Sequence, residues 1–316
     1  MKKNNLLELK KQYLEYLEIE KNRSLKTLEN YNRYLTKFLD FLAKYTNKSV
    51  DELKVEEIDQ EAIRQFRLYL NRLEGRQQNL RKITQNYYII ALRGFLKYLI
   101  KIGIKCLAPE QVELAKASRN EISLISFNEL ERLLNAPEGN DIKSLRDKAI
   151  LETLFATGLR VSELCKLNRD SVNLERGEFS IKGKGGKIRL VFLSDEAKEA
   201  IKKYLAKRTD IEEPLFVTFK KSKNYEVLGR ITPRSVQRLI NFYSKKAGIV
   251  RKVTPHTLRH LFATDLLQNG ADLRSVQMLL GHSNISTTQV YTHLTDKELK
   301  EIYQAFHARR RRNTRY

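Results

Sequence analysis

Over the first 112 residues, apolar side chains recur at steps of three and four with almost no two-residue alternation, which commits the segment to helices. Leu28, Tyr31, Leu35, Phe38, Leu39 and Leu42 draw one stripe, with Ser24 or Thr27 as the capping residue. Ile63, Phe66, Leu70 and Leu73 repeat the pattern after Asp59, with Gly75 beyond the end. Thr84 precedes a third stripe of Tyr88, Ala91, Leu92, Phe95, Tyr98, Leu99 and Ile102, closed by Gly103. With Leu9, Tyr13 and Leu17 near the start, residues 1–112 are expected to form a bundle of four or more short helices.

The polar faces of these helices are basic. The whole chain carries 60 Lys and Arg against 38 Asp and Glu, a formal net charge of +22. Such an excess repels itself unless a polyanion neutralises it, so nucleic acid is the expected partner, although ribosomal and membrane-surface proteins share this balance. Lys21, Arg23, Lys26, Arg33 and Lys37 fall early, then Arg76, Arg81, Lys82, Arg93 and Lys97. Their clustering near helix starts, beside Thr27, Thr84 and Gln85, marks Lys26, Thr27, Arg33, Arg81, Thr84, Gln85 and Arg93 as candidate DNA-binding residues. Cys106 and Cys165 stand far apart without a CxxC or a His/Cys cluster, so two buried free thiols are expected and no metal site. The N-terminal segment lacks an uninterrupted apolar core, which argues against a signal peptide or membrane span and for a cytoplasmic, nucleoid-associated protein.

Residues 113–123 are polar and carry no sustained stripe, so they are taken as a linker between the first domain and a second at 124–316. A flexible join would let two basic domains close on opposite faces of a duplex. Ser126 and Glu129 form a capping box that opens the second domain. A helix over 146–157 ends at Gly158, and Arg160 then sits at or near the next helix N-terminus, where free N–H groups favour an anion. Glu163, three residues on, shares its face and can orient a basic neighbour. Two short alternating stretches, 178–182 and 187–193, flank Gly183-Lys184-Gly185-Gly186 as a hairpin with one lysine at its tip. The P-loop pattern is absent and two strands flank the turn, so an ATP site is not expected. The fold class is therefore mainly α with a small antiparallel β-hairpin or sheet.

Thr254 caps and Pro255 begins a helix whose first turn places His256 and Arg259 on one face, with His260 facing elsewhere as a core or supporting residue. Asp272 caps the following helix, Gly281 stops it, and His282 lands on the turn. Of fifteen tyrosines, Tyr291 is set apart by following His282 by nine residues in a polar segment. Two guanidiniums stabilise charge building on phosphodiester oxygens without titrating, while Lys and His move protons. A phenol is unreactive near its normal pKa of about 10 and needs cationic neighbours to attack phosphorus. No carboxylate cluster suited to magnesium stands out, and a covalent phosphotyrosine conserves the bond energy, so neither metal nor ATP is required and no cofactor is expected.

Together TGLRVSEL, GKGGK, TPHTLRHLFAT, LLGH and QVYTH resemble the tyrosine recombinases, or phage-integrase family, and most of all its Xer type. The resemblance covers essentially the whole chain. It implies a SAM-like core-binding domain, a linker and a catalytic domain. It implies that Arg160 and Arg259 clamp the phosphate, that Lys184 is the general acid, and that His256 is the acid/base group. His282 would contact the phosphate, Tyr291 would form a 3′-phosphotyrosine, and Glu163 would support the clamp from behind. It further implies double-stranded DNA with paired recombination sites as substrate. The assembly would be a homotetramer, or a heterotetramer with a paralogous recombinase, and a DNA translocase is a candidate activator. Thr295 and Glu298 form a capping box for a last helix whose Leu299, Ile302, Tyr303 and Phe306 are expected to contact a neighbouring protomer. The expected task is chromosome or plasmid dimer resolution at a dif-like site. A mobile-element integrase is the alternative, less so a type IB topoisomerase or a non-catalytic architectural binder. No room precedes residue 20 for an arm-binding domain, which favours the simple recombinase. Arg234, Gln237 and Arg238, on the polar side of a helix over 233–243, are the expected base contacts.

Overall fold

Short polar side chains fix where the helices of the first unit begin. In the computed structural model, Asn5 accepts from the N–H groups of Leu7 and Glu8 and opens α1 (Leu6–Ile19). Ser24, not Thr27, caps α2 (Leu25–Thr46), and Asp59 caps α3 (Gln60–Arg72) through a 2.7 Å bond from the Ala62 N–H. The fourth helix, α4 (Lys82–Lys101), starts three residues earlier than Thr84 suggested, with Arg81 at its cap and no side-chain bond there. Thr84 instead sits inside the first turn. The described residues are 5–73, 80–116, 125–183, 188–220, 225–281 and 296–307, so Gly75 and Arg76 lie outside them. The chain divides into two compact units, Met1–Glu121 and Ile122–Tyr316.

The stripes meet in one core. Leu35, Phe38, Leu39 and Leu42 of α2, Ile63, Phe66 and Leu70 of α3, and Leu92, Phe95 and Leu99 of α4 are buried together with Leu9 and Tyr13 of α1. Phe38 and Phe66 meet edge-on with centroids 5.0 Å apart. Each such side chain contributes about 1.5–3 kcal/mol through burial, which is what holds helices of modest propensity together. Ile102 departs from expectation: α4 stops at Lys101, and Ile102 is left exposed as the chain turns at Gly103.

In the second unit Ser126 and Glu129 close the expected capping box on α5 (Phe127–Asn135). Next, α6 (Ile142–Thr157) starts four residues before Arg146 because Asp141 caps it. Every residue from Ala149 to Thr157 is buried, so α6 is a central helix and not an amphipathic surface one. Gly158, at φ +58°, ends it, and the single turn α7 (Val161–Leu164) follows. Strands β1 (Glu178–Lys182) and β2 (Ile188–Phe192) pair antiparallel, from Glu178 opposite Phe192 to Lys182 opposite Ile188. After α8 (Asp195–Ala206) comes a second, unanticipated two-stranded ladder of β3 (Val217–Phe219) and β4 (Val227–Arg230), irregular at Thr218 and Phe219. Next are α9 (Pro233–Lys246), α10 (Pro255–Gln268), α11 (Leu273–Leu280) and α12 (Asp296–Phe306). Helices α5, α8, α9 and α10 pack on α6.

The last helix lies on its own chain. Tyr303 is buried with Phe192 of β2, Phe262 and Leu266 of α10 and Leu279 of α11, and Ile302 and Phe306 flank it. Among the described residues, Ile302, Tyr303 and Phe306 cover in cis the apolar face that those three elements present, whereas the Leu299 side chain lies outside the described residues. His307 just beyond it is 3.2 Å from the Asp265 carboxylate. Cys165 is buried, and that burial pushes its thiol up to about 11, whereas Cys106 is only half-buried, not buried as expected. No helix among the described residues is long and apolar enough to cross a membrane.

Candidate phosphate-clamp site

Arg160 occupies the cap of a helix one turn long, too short for a useful dipole, so its role rests on the side chain and not on the helix end. The Glu163 carboxylate reaches back to it twice. Oε2 accepts the Arg160 backbone N–H at 2.8 Å, and Oε1 accepts from the Arg160 Nη1 at 2.9 Å. The same carboxylate takes a second guanidinium from β2: Arg189 donates from Nη1 to Oε1 at 3.2 Å and from Nη2 to Oε2 at 2.8 Å. Burial alone would raise the Glu163 carboxyl. The Arg189 hydrogen bonds, then the Arg160 N–H, outweigh it and hold the group below the ordinary carboxylate range.

Arg259 comes from the first turn of α10 but does not share the surface with His256. Its guanidinium is buried and donates to the carbonyl oxygens of Gly158, at 2.5 Å, and Leu280, at 2.7 Å. Those carbonyls close α6 and α11, where a cation is favoured. Burial first, then Arg160 and Arg189, lowers the Arg259 pKa to about 10. Two guanidiniums therefore bond one carboxylate, and the third, Arg259, is near enough to be felt by all of them, a surplus of positive charge in a partly water-excluded place. Such a group attracts a dianionic or monoanionic oxygen cluster, and Arg160, with 37% of its side chain accessible, is the arginine placed to meet it.

His256 is exposed, and His260 lies edge-on against it with ring centroids 4.5 Å apart. The expectation that His260 faces elsewhere holds against Arg259 but not against His256, because residues four apart on a helix share a face. Burial, then the neighbouring His256 and Arg259, keeps the His260 imidazole below its usual pKa. Lys184, His282 and Tyr291 lie outside the described residues, as does most of the linker.

On α9, Arg234, Gln237 and Arg238 are exposed at spacings that share one face, while Val236, Leu239 and Ile240 are buried behind them. In the first unit Lys26 is exposed and paired with Glu29 at 2.6 Å, Thr27 bonds Ser24, and Arg33 lies over the Tyr34 ring at 5.1 Å. Arg81 is exposed, and Thr84 and Arg93 are half-buried. Gln85 spends its amide N–H groups internally, on the Leu80 carbonyl at 2.7 Å and Asn71 at 3.2 Å, which leaves only its carbonyl oxygen for a ligand.

Arg189 was missed from sequence. The only signal was its place in the alternation of β2, where it reads as an ordinary strand arginine.

Comparison with known proteins converges on one group. Residues 124–298 match the Phage integrase family, and residues 11–103 match its N-terminal SAM-like domain. Tyrosine recombinase XerD of Oceanobacillus iheyensis is 38% identical over 305 residues, covering 94% of this chain and 97% of that protein. Tyrosine recombinase XerC of Syntrophus aciditrophicus is 36% identical over 315 residues, covering 96% and 98%. Among solved structures, XerH site-specific recombinase bound to a palindromic difH substrate, in a post-cleavage complex, superposes with a TM-score of 0.65 at 26% identity, over 92% of this chain and 83% of that one. The chain belongs to the phage integrase family and, within it, to the Xer tyrosine recombinases.

Proposed function

We propose that this protein recombines double-stranded DNA at specific sites through a 3′-phosphotyrosine intermediate. Arg160 and Arg259 stabilise the non-bridging oxygens of the scissile phosphate, and Glu163 holds Arg160 in place from behind. The Tyr291 phenol attacks phosphorus, a Tyr Oη–P bond forms and the P–O5′ bond breaks. Lys184 gives a proton to the departing 5′ oxygen, while His256 takes the phenolic proton and His282 contacts the phosphate. Attack by a 5′ hydroxyl from the partner duplex reverses the step, regenerating the tyrosine and joining the new strands through a Holliday junction. No net bond energy is lost, so no nucleotide cofactor is needed.

The observation that carries this reading is the cluster in which Arg160 and Arg189 share Glu163 with Arg259 close by. Three cations face one carboxylate, and a phosphodiester supplies further negative charge at the accessible Arg160. DNA is the partner. The helical domain at 1–112 and the exposed face of α9 contribute the duplex contacts, with Arg234, Gln237 and Arg238 at base edges, and the joining segment at 113–123 lets the two domains close on opposite faces of the duplex. Four protomers act on two paired sites, as a homotetramer or with a paralogue, and a DNA translocase is a candidate activator. In that assembly α12 leaves its cis position for a neighbour. The site is dif-like and the task is resolution of chromosome or plasmid dimers in the cytoplasm, a reading supported by the XerC and XerD relatives and by the difH complex of XerH.

A nicked suicide substrate tests the chemistry. Cleavage releases a short 5′-terminated fragment that diffuses away and traps the covalent complex. Wild-type protein should form a denaturation-resistant adduct without magnesium or ATP, and Tyr291→Phe should form none while binding DNA normally. An adduct undiminished in Tyr291→Phe refutes the assignment.

A further inference from the structure

We propose that Arg189 is a positioning residue for strand cleavage: it fastens the β1–β2 hairpin and the end of α11 to the Glu163–Arg160 pair, so that the phosphate clamp holds one geometry. This rests on the strand-cleavage reading above. Arg189 faces Glu163 fork to fork, with 10% and 9% of the two side chains accessible, and each carboxylate oxygen is also shared with Arg160. A planar guanidinium and a carboxylate matched in this way leave little rotational freedom to either partner. Arg160, the more accessible arginine, is thus oriented by a carboxylate that is itself fixed by a strand.

A second contact reaches the end of α11. Gly281 terminates that helix at φ +64°, and a Cβ there would lie 2.8 Å from Arg189 Nη1 and 2.9 Å from its Cδ. The arginine therefore packs against bare backbone at the residue that precedes His282 in the chain. One side chain thus joins β2, the carboxylate behind Arg160, and the C-terminal end of α11.

Phe179, Val191 and Phe192 already anchor the hairpin in apolar surroundings, so the hairpin does not rest on this pair alone. Removing Arg189 lowers stability to some extent, but Glu163 keeps Arg160 as a partner and is not left as an uncompensated buried charge. What the pair adds beyond stability is orientation. Its removal should therefore appear in the rate and pH profile of cleavage more than in folding or DNA binding.

The full-length protein is compared with Arg189→Met, Arg189→Lys, Glu163→Gln and the double variant Arg189→Met/Glu163→Gln. The readouts are single-turnover adduct formation on the nicked substrate, DNA affinity by gel shift, and thermal melting. Arg189→Met should slow adduct formation by roughly 10–100-fold, the scale of a displaced clamp, while DNA affinity changes by no more than about twofold. Arg189→Lys keeps the charge but loses the fork, and should recover only part of the rate. The double variant should be no slower than the slower single variant, because both remove one linkage. With Arg189 gone, Glu163 keeps Arg160 beside it and Arg259 nearby but loses its strongest partner, so the acid limb of the rate should move to higher pH in Arg189→Met.

Wild-type rates in Arg189→Met or Arg189→Lys overturn the proposal, as do losses that multiply in the double variant. If Arg189→Met melts below the assay temperature, Arg189→Lys decides alone. A wild-type protein that forms no adduct brings down the strand-cleavage reading itself, a result distinct from an active wild type whose Arg189 variants are equally active.

Discussion

Gly158 is where the packing of the catalytic unit and the clamp depend on the same residue, and Gly158→Ala measures that dependence. The residue sits at φ +58°, a conformation that costs an alanine about 1 kcal/mol. An added Cβ would lie 2.5 Å from Phe262 Cδ1 and 2.9 Å from Leu280 Cδ2. Phe262 is 1% exposed and hemmed in by Tyr303 and Leu266, so it has no empty space to retreat into. Overpacking of this kind costs about 1–3 kcal/mol, giving a total on the order of 2–4 kcal/mol. For a unit of this size that corresponds to a melting-temperature drop of roughly 5–15 °C. The Gly158 carbonyl also accepts the Arg259 guanidinium, so the backbone shift that relieves the clash displaces the clamp, and cleavage should fall by about tenfold or more. Gly248→Ala is the control: its φ is +68° and nothing lies within 4 Å of the added Cβ, so it should lose only about 1 kcal/mol. Melting is followed by circular dichroism on both full-length variants and cleavage on the nicked substrate. A Gly158→Ala protein that melts within about 1–2 °C of Gly248→Ala would show that this contact does not constrain the unit, and the reasoning fails.

Further predictions follow from the caps, the carboxylate and the basic face. Asp59→Ala removes the acceptor of the Ala62 N–H and should destabilise the first unit by about 1 kcal/mol, read as a lower melting point with cleavage chemistry unchanged on bound substrate. Glu163 has a folded pKa below its unfolded value of about 4.3, so its stabilising contribution is present at neutral pH and is lost as pH falls through that lower value. The melting difference between wild type and Glu163→Gln should accordingly shrink as pH drops below about 4.5, and a difference that grows there contradicts the ion-pair account. Arg234→Ala and Arg238→Ala should each weaken DNA binding. Loss of site preference at one position marks a base contact, whereas a salt slope reduced by about one with preference intact marks a phosphate contact.

Much of this architecture could be read from the chain because local rules and tertiary packing agree. Most of the stripes of α2 and α3 are buried as their spacing indicates, with Leu28, Tyr31 and Leu73 half-buried at the ends, and Ser24, Asp59, Ser126, Thr254 and Asp272 all cap helices. What escaped sequence reasoning depends on partners distant in the chain. Arg259 shares a helical face with His256 by spacing, yet it turns inward because the carbonyls of Gly158 and Leu280, 101 and 21 residues away, offer it two acceptors. Arg189 becomes notable only when Glu163, 26 residues earlier, is seen beneath it. The pattern of α12 is equally consistent with cis or exchanged packing, since an apolar stripe does not specify whose surface covers it. Gln85 reads as a phosphate contact by its position, and the sequence does not indicate that its amide N–H groups bond Leu80 and Asn71.

Peptide mapping of the trapped covalent complex tests the central assignment most directly. After protease and nuclease digestion, mass spectrometry should find a nucleotide remnant on the peptide that contains Tyr291, attached through a 3′ phosphate. A remnant on any of the other fourteen tyrosines, on a serine, or at a 5′ phosphate would contradict the assignment of Tyr291 as the nucleophile served by the arginine cluster.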